Sequence, residues 1–245
     1  MEAERTADWR LAQDSHDVDQ HSGDFKLEGE IKRTAGEDLE QQRFKQAATE
    51  IRKIDFMESE KWKSLDQNER ISALKYSGKA LGDAYHSPDP PLLDDKWSPE
   101  KLGAYGDGYS SDSKGNIIGS DYGIRINRDG IDSGNEKLFG DDPKTALKTY
   151  SHEFRHSYQR EQATAYEKGI VTDDPVKARE WSESYKYYKD PPEAAMAKND
   201  PEQYFQKYEE YCNQPVEKDA RKFSERLVSE VYDKKPSSLP DKSRT

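Results

Sequence analysis

Cysteine is almost missing from this chain: Cys212 is the single one in 245 residues. One thiol closes no intrachain disulfide, so a stapled scaffold is excluded, and Cys212 suggests a reducing compartment or a small buried side chain, with a structural place on a helix expected. No histidine stands near it in an activating arrangement, which argues against a cysteine protease. Long apolar runs are missing too. None approaches the ~20 residues of a membrane-spanning helix, so no membrane span is expected. Met1 to Asp24 carry acids throughout and no apolar core, which does not fit a Sec signal peptide.

Positive charge is in short supply. The 39 Lys and Arg face 50 Asp and Glu, a net charge of −11. Nucleic acid is therefore not an expected partner, because phosphate neutralisation supplies most of such affinity. Leu, Ile, Val and Phe together make only about 15% of the chain, below the ~20% under which a charged sequence reads as disordered. What offsets this is 15 Tyr and 4 Trp, whose rings bury large areas while their polar tips stay hydrated. One folded domain over 34–233 is expected, with a small aromatic-rich core and polar tails at 1–33 and 234–245.

Periodicity organises that domain. Leu39, Phe44, Ala47, Ala48, Ile51 and Ile54 share one helical face. Asp66 and Glu69 have capping-box spacing before a second helix, running to about Tyr85, with Ile71, Leu74, Ala80 and Leu81 as its stripe. The Pro-rich stretch from His86 to Pro91 ends it. From 92 to 140 short β-prone pieces alternate with turns: Ala104 to Tyr109, Asn116 to Ile118, and Tyr122 to Asn127, with Ser113 to Asn116 as a turn. A calcium loop around Asp112 and Gly115 fails, since Ser110 and Lys114 would fall on ligand positions. Asp142-Pro143 then caps a helix reaching about Tyr166, with Leu147, Tyr150, Phe154 and Tyr158 on its core face. Gly169 terminates it. Further helices follow Asp174-Pro175, Pro201 and Pro215, the last running to Tyr232.

Chemistry concentrates in His152-Glu153-Phe154-Arg155-His156. Two imidazoles four apart on a helix stand one turn above the other and can reach one cation. The intervening Glu153 can deprotonate a water held by that cation. Only about 0.01 HExxH matches would arise by chance in a chain of this composition, so the motif outweighs a reading as two surface histidines. Both histidines lie off the Leu147–Tyr158 stripe. A closed structural zinc site usually uses cysteine, and only Cys212 is present. An open site needs a third protein ligand. His16, His21 and His86 lie upstream, and Gln159 and Gln162 exclude an HExxHxxGxxH continuation. The helix at Pro215 carries two acids in its first turn, Glu217 and Asp219. Either is a candidate ligand, and both also suit a helix N-terminus on dipole grounds.

The stretch His152-Glu-Phe-Arg-His-Ser-Tyr-Gln159, with Tyr211-Cys-Asn-Gln-Pro-Val-Glu-Lys-Asp-Ala-Arg-Lys-Phe223 downstream, resembles zincin metallopeptidases of the glutamate-ligand type. More narrowly it is similar to small HExxH domains of bacterial polymorphic toxins and secreted effectors. The likeness covers roughly residues 60–230. It implies an α+β, helix-dominated zincin-like fold, with a small antiparallel or mixed sheet beside the HExxH helix and a cleft between that helix and strand 122–127. Gly123 to Asn127 would then be the edge strand that pairs with substrate. It also implies a Zn²⁺ cofactor on His152, His156 and Glu217, with Asp219 as the alternative ligand. Glu153 would be the general base of a metalloendopeptidase that hydrolyses peptide bonds through a zinc-bound water. Tyr211, Tyr208, Tyr158 and Arg155 are the candidate transition-state stabilisers. The acid usual four residues after the ligand glutamate is Arg221 here, so either Asp219 orients a ligand imidazole in its place or the third ligand lies in another register. A protein or peptide substrate is expected, with an immunity or chaperone protein as a further partner, and a location in the producer's cytoplasm or delivery by a non-Sec route. A regulatory peptidase with one cellular target and a non-enzymatic helical interaction module are the alternatives.

Overall fold

A computed structural model describes residues 36–95, 103–106, 109–111, 117–120, 123–127 and 142–233. The tails expected at 1–33 and 234–245, the turn at 113–116, most of the rejected calcium loop, and Tyr122 lie outside the described residues. Helix α1 covers 36–52, and a 3-10 turn (Asp55–Met57) leads into α2 (Ser59–Ser64) and α3 (Gln67–Tyr85). Strands β1 (Leu92–Asp95), β2 (Gly103–Gly106), β3 (Tyr109–Ser111), β4 (Ile117–Ser120) and β5 (Gly123–Asn127) follow. The remainder is helical: α4 (Pro143–Glu167), α5 (Pro175–Lys186), α6 (Ala194–Asn199), α7 (Pro201–Asn213) and α8 (Pro215–Tyr232). The architecture is α+β and dominated by helices.

Local chemistry explains the boundaries. The Asp66 side chain accepts from the Glu69 N–H at 2.9 Å while the Glu69 carboxylate accepts from the Asp66 N–H at 2.8 Å, a complete capping box. Proline occupies the first turn of α4, α5, α7 and α8, where its missing N–H costs nothing. Helix α4 stops at Gly169, whose φ of 69° is a left-handed value open to a residue without Cβ. Among the described residues no helix is long and apolar enough to cross a membrane.

Helix α4 is the axis of the domain and packs against α8, α5, α3 and β2. Leu147, Tyr150 and Phe154 are fully buried along it, as the three- and four-residue spacing predicts. Tyr85 stands at the centre of the core, edge-to-face with Phe154, Tyr158 and Phe223 at centroid distances of 6.1, 5.1 and 5.7 Å. Aromatic rings thus supply the area that the scarce aliphatics do not. Where α3 crosses α4, a Cβ at Gly78 would lie 2.0 Å from the Tyr150 hydroxyl, so only glycine permits the approach.

One sheet is three-stranded in the order β1-β5-β2, with β1 parallel and β2 antiparallel to β5. Ile124 faces Leu92 on one side and Tyr105 on the other. This corrects one expectation: β5 is the central strand, not an edge, and its buried Ile124 and Ile126 belong to the core. The alternation of Ile124 and Ile126 with Arg125 marks one buried face; the central position is set by pairing with β1 and β2. The β3–β4 pair forms a second, antiparallel sheet. Strand β1 and the short helices α2 and α6 carried too little periodicity to be read from sequence.

Candidate metal centre

Asp142 accepts from the Lys144 N–H at 3.0 Å and starts α4. From that start His152 and His156 fall one turn apart on a single face. Their rings meet edge-to-face with centroids 4.7 Å apart, and their Nε2 atoms are separated by 3.1 Å. Helix α8 crosses alongside, and its first turn aims Glu217 at the same point. Glu217 Oε2 lies 3.4 Å from His152 Nε2, and Oε1 lies 3.3 Å from His156 Nε2. A tetrahedral zinc with bonds of ~2.0–2.1 Å holds its ligand atoms about 3.3 Å apart. The Nε2–Nε2 separation and the distance from each Nε2 to its nearer Glu217 oxygen are close to that edge length, and one atom from each of the three residues lies within 4.8 Å of the others. Among the described residues these three form the one His/Cys/Asp/Glu group close enough to hold a metal. Two imidazoles and one carboxylate suit zinc, and three protein ligands leave one position for a small molecule.

The histidine tautomer points the same way. His156 Nδ1 lies 3.0 Å from Gln159 Oε1, and this oxygen is an acceptor because the amide nitrogen on the other side donates to the Val216 carbonyl at 3.0 Å. Nδ1 is therefore the donor, so that when the ring is neutral Nε2 is the nitrogen whose lone pair faces the cluster. Acceptor atoms converging at these distances repel unless a proton or a cation sits among them. The acid–base balance reflects that. Burial lowers the His156 pKa, but the hydrogen bond to Glu217 and the charge of Glu153 outweigh it and raise it above the ordinary imidazole value. Burial also opposes ionisation of Glu217, yet the hydrogen bonds and charges of His152 and His156 hold it far below the usual carboxylate range.

The cluster opens on a cleft of about 920 Å³. Glu153 lines it, as do both histidines, Glu217, and Ala104 and Tyr105 of β2. The strand bordering the cleft is thus β2, where the sequence pointed to 122–127. The alternating pattern there marks burial rather than exposure to the cleft.

Of the other residues singled out from sequence, Tyr211 and Tyr208 line the cleft. Tyr211 hydrogen-bonds to Glu217, and burial followed by the charges of Glu217 and Glu153 raises its pKa. Tyr208 pairs instead with Cys212. Three residues are placed otherwise. Tyr158 is buried and donates to Asp173 Oδ2 at 2.8 Å, on the core side of α4. Arg155 is also buried, with Nε 2.7 Å from Asp219 Oδ2 and Nη1 3.0 Å from Glu40 Oε1. Neither lines the cleft: Tyr158 is held in the core by Asp173, and Arg155 by Asp219 and Glu40. Asp219 is not in the ligand group; besides Arg155 it accepts from Gln159 Nε2 at 2.8 Å. It reaches His156 through that amide.

Two contributors were missed. Tyr188, in the turn after α5, donates to Glu217 Oε1 at 2.8 Å, and no local spacing announces it. Gln159 is three residues beyond His156 on the same helix, a relation legible in the sequence. Comparison with protein-family models, with curated proteins and with solved structures found no match to this chain.

Proposed function

We propose that the protein is a zinc-dependent metalloendopeptidase in which His152, His156 and Glu217 hold the metal and Glu153 is the general base. The supporting observation is that the two imidazole Nε2 atoms lie 3.1 Å apart and each lies 3.3–3.4 Å from one oxygen of the Glu217 carboxylate, in a cleft that Glu153 also lines. A zinc ion held there supplies Lewis acidity, polarising a carbonyl and lowering the pKa of a water toward ~7. Glu153 accepts the proton that water gives up as its oxygen adds to the scissile carbonyl carbon. The same carboxyl returns that proton to the amine nitrogen as the C–N bond breaks. Tyr211 is the candidate donor to the oxyanion, being the one of the four named residues that lines the cleft and bonds to the ligand carboxylate. Tyr188 holds Glu217 in orientation, and the substrate backbone runs beside β2.

The test is metal content together with hydrolysis of a broad peptide library, for wild type and Glu153→Gln. Stoichiometric zinc in both, with hydrolysis in wild type alone, is expected. A wild type that takes up no zinc would leave the helical interaction module standing. The motif's likeness to effector domains extends the proposal to a toxin. Expression in bacterial and eukaryotic hosts tests this, with Glu153-dependent growth arrest in one of them expected. Equal growth in both would favour a regulatory peptidase with one target.

A further inference from the structure

Behind the proposed metal centre lies a partly buried ionic chain that the chemistry above does not use. The guanidinium of Arg155 is enclosed by the rings of Phe223, Tyr158 and Trp181, at 4.9, 5.1 and 5.2 Å from their centroids. Its Nε and Nη2 grip Asp219 at 2.7 and 3.3 Å, and its Nη1 spans both oxygens of Glu40 at 3.0 and 3.2 Å. Glu40 belongs to α1 and also accepts from the Tyr85 hydroxyl at 3.0 Å. At the other end, Asp219 and the Val216 carbonyl consume both N–H groups of the Gln159 amide, at 2.8 and 3.0 Å. That leaves Gln159 Oε1 facing His156 Nδ1 at 3.0 Å, with the Tyr185 hydroxyl as a second donor at 3.3 Å. Reversing the amide would set its oxygen against two acceptors at once. The orientation is therefore enforced from behind, and it decides which nitrogen of His156 is left unprotonated.

Resting on the assignment of His156 as a metal ligand, we propose that Arg155 and Glu40 are positioning residues for the metal centre: through Asp219 and Gln159 they fix the tautomer and orientation of His156, so that α1 is a working part of the site. An apolar residue would fill the position of Arg155 without the cost of burying charge. What it could not do is hold one carboxylate bidentately while pairing a second, which is the particular ability of a guanidinium. Outer contacts of this kind tune metal affinity by about 10–100-fold.

Zinc affinity of the full chain, measured by competition with a chromophoric chelator, and the visible bands of the cobalt(II)-substituted protein test this. Gln159→Leu, Arg155→Lys and Glu40→Gln should weaken zinc binding, with the loss shrinking along that order from about 100-fold to a few-fold, and should shift the cobalt bands. Asp173→Asn is the control. Asp173 anchors the same helix through Arg43 and also bonds to Tyr158, whose ring touches the Arg155 guanidinium, but its carboxylate is outside the hydrogen-bonded chain that runs from Glu40 to His156. It should lower thermal stability and leave zinc affinity and cobalt bands untouched. If Arg155→Lys does not fold, Glu40→Gln decides. Wild-type affinity and unshifted bands in the folded Glu40 and Arg155 variants, or equal weakening by Asp173→Asn, overturn the inference while the peptidase reading stands. A wild type that binds no zinc overturns both.

Discussion

Glu217 and Asp219 stand two residues apart at the start of α8, and both are drawn into clusters with residues of α4, yet the clusters differ in what completes them. Asp219 meets Arg155, which is protonated at every physiological pH and already carries the opposite charge. That cluster is closed by the chain itself and lies in the aromatic core. Glu217 meets two imidazoles and two tyrosine hydroxyls. Among the described residues no lysine or arginine forms an ion pair with Glu217, and the cluster faces the cleft. A pair of acids at the same helix N-terminus thus serves two purposes. The partner decides, because a guanidinium satisfies a carboxylate for good whereas an imidazole lone pair competes with it for a positive centre.

The sharpest break between the two clusters should come from the residue beside the open one. Glu153→Gln is expected to lower peptide hydrolysis by about 10²–10⁴-fold, with zinc content unchanged, as read by steady-state kinetics and elemental analysis. Next in size is the closed cluster. Arg155→Met leaves the partly buried Glu40 and Asp219 without their cation and should destabilise the zinc-free fold by about 3 kcal/mol in urea unfolding. A smaller effect belongs to the open cluster. Zinc at a hundredfold excess over its Kd should stabilise the wild type by about 2.7 kcal/mol and should do nothing for Glu217→Gln or His156→Ala. Comparing the melting curves with and without chelator checks it. Smallest is Tyr188→Phe, which removes one hydrogen bond from Glu217. It should weaken zinc binding by about 1 kcal/mol, roughly fivefold, in a chelator competition.

How much of this was legible depended on the distance over which each signal acts. Caps and proline starts are local, and so Asp66, Asp142, Asp174 and Pro215 marked helices that begin where expected. The His152–His156 pairing is equally local, being fixed by helical pitch. Placing Glu217 beside it required a tertiary crossing of α8 over α4, which only the motif's resemblance suggested. Arg155 illustrates the opposite case. Adjacent to the ligands in sequence, it points away from them, because one residue along a helix turns the side chain by about 100°. Tyr188 sits in a turn whose residues carry no period, and its contact with Glu217 arises only when α5 and α8 are brought together. The centre of the sheet was misread as its edge for a similar reason: alternation reports burial, while neighbours are set by β1, a strand too short to declare itself.

The central claim is that the open cluster is a zinc site. Elemental analysis of the full chain, purified without chelator and then titrated with zinc in a calorimeter, addresses it without any knowledge of substrate. One zinc per chain in the wild type, falling to none in the His152→Ala and Glu217→Gln variants while both remain folded, is the predicted result. A folded wild type that retains and accepts no divalent metal, or variants that bind it as well as wild type does, would contradict the account.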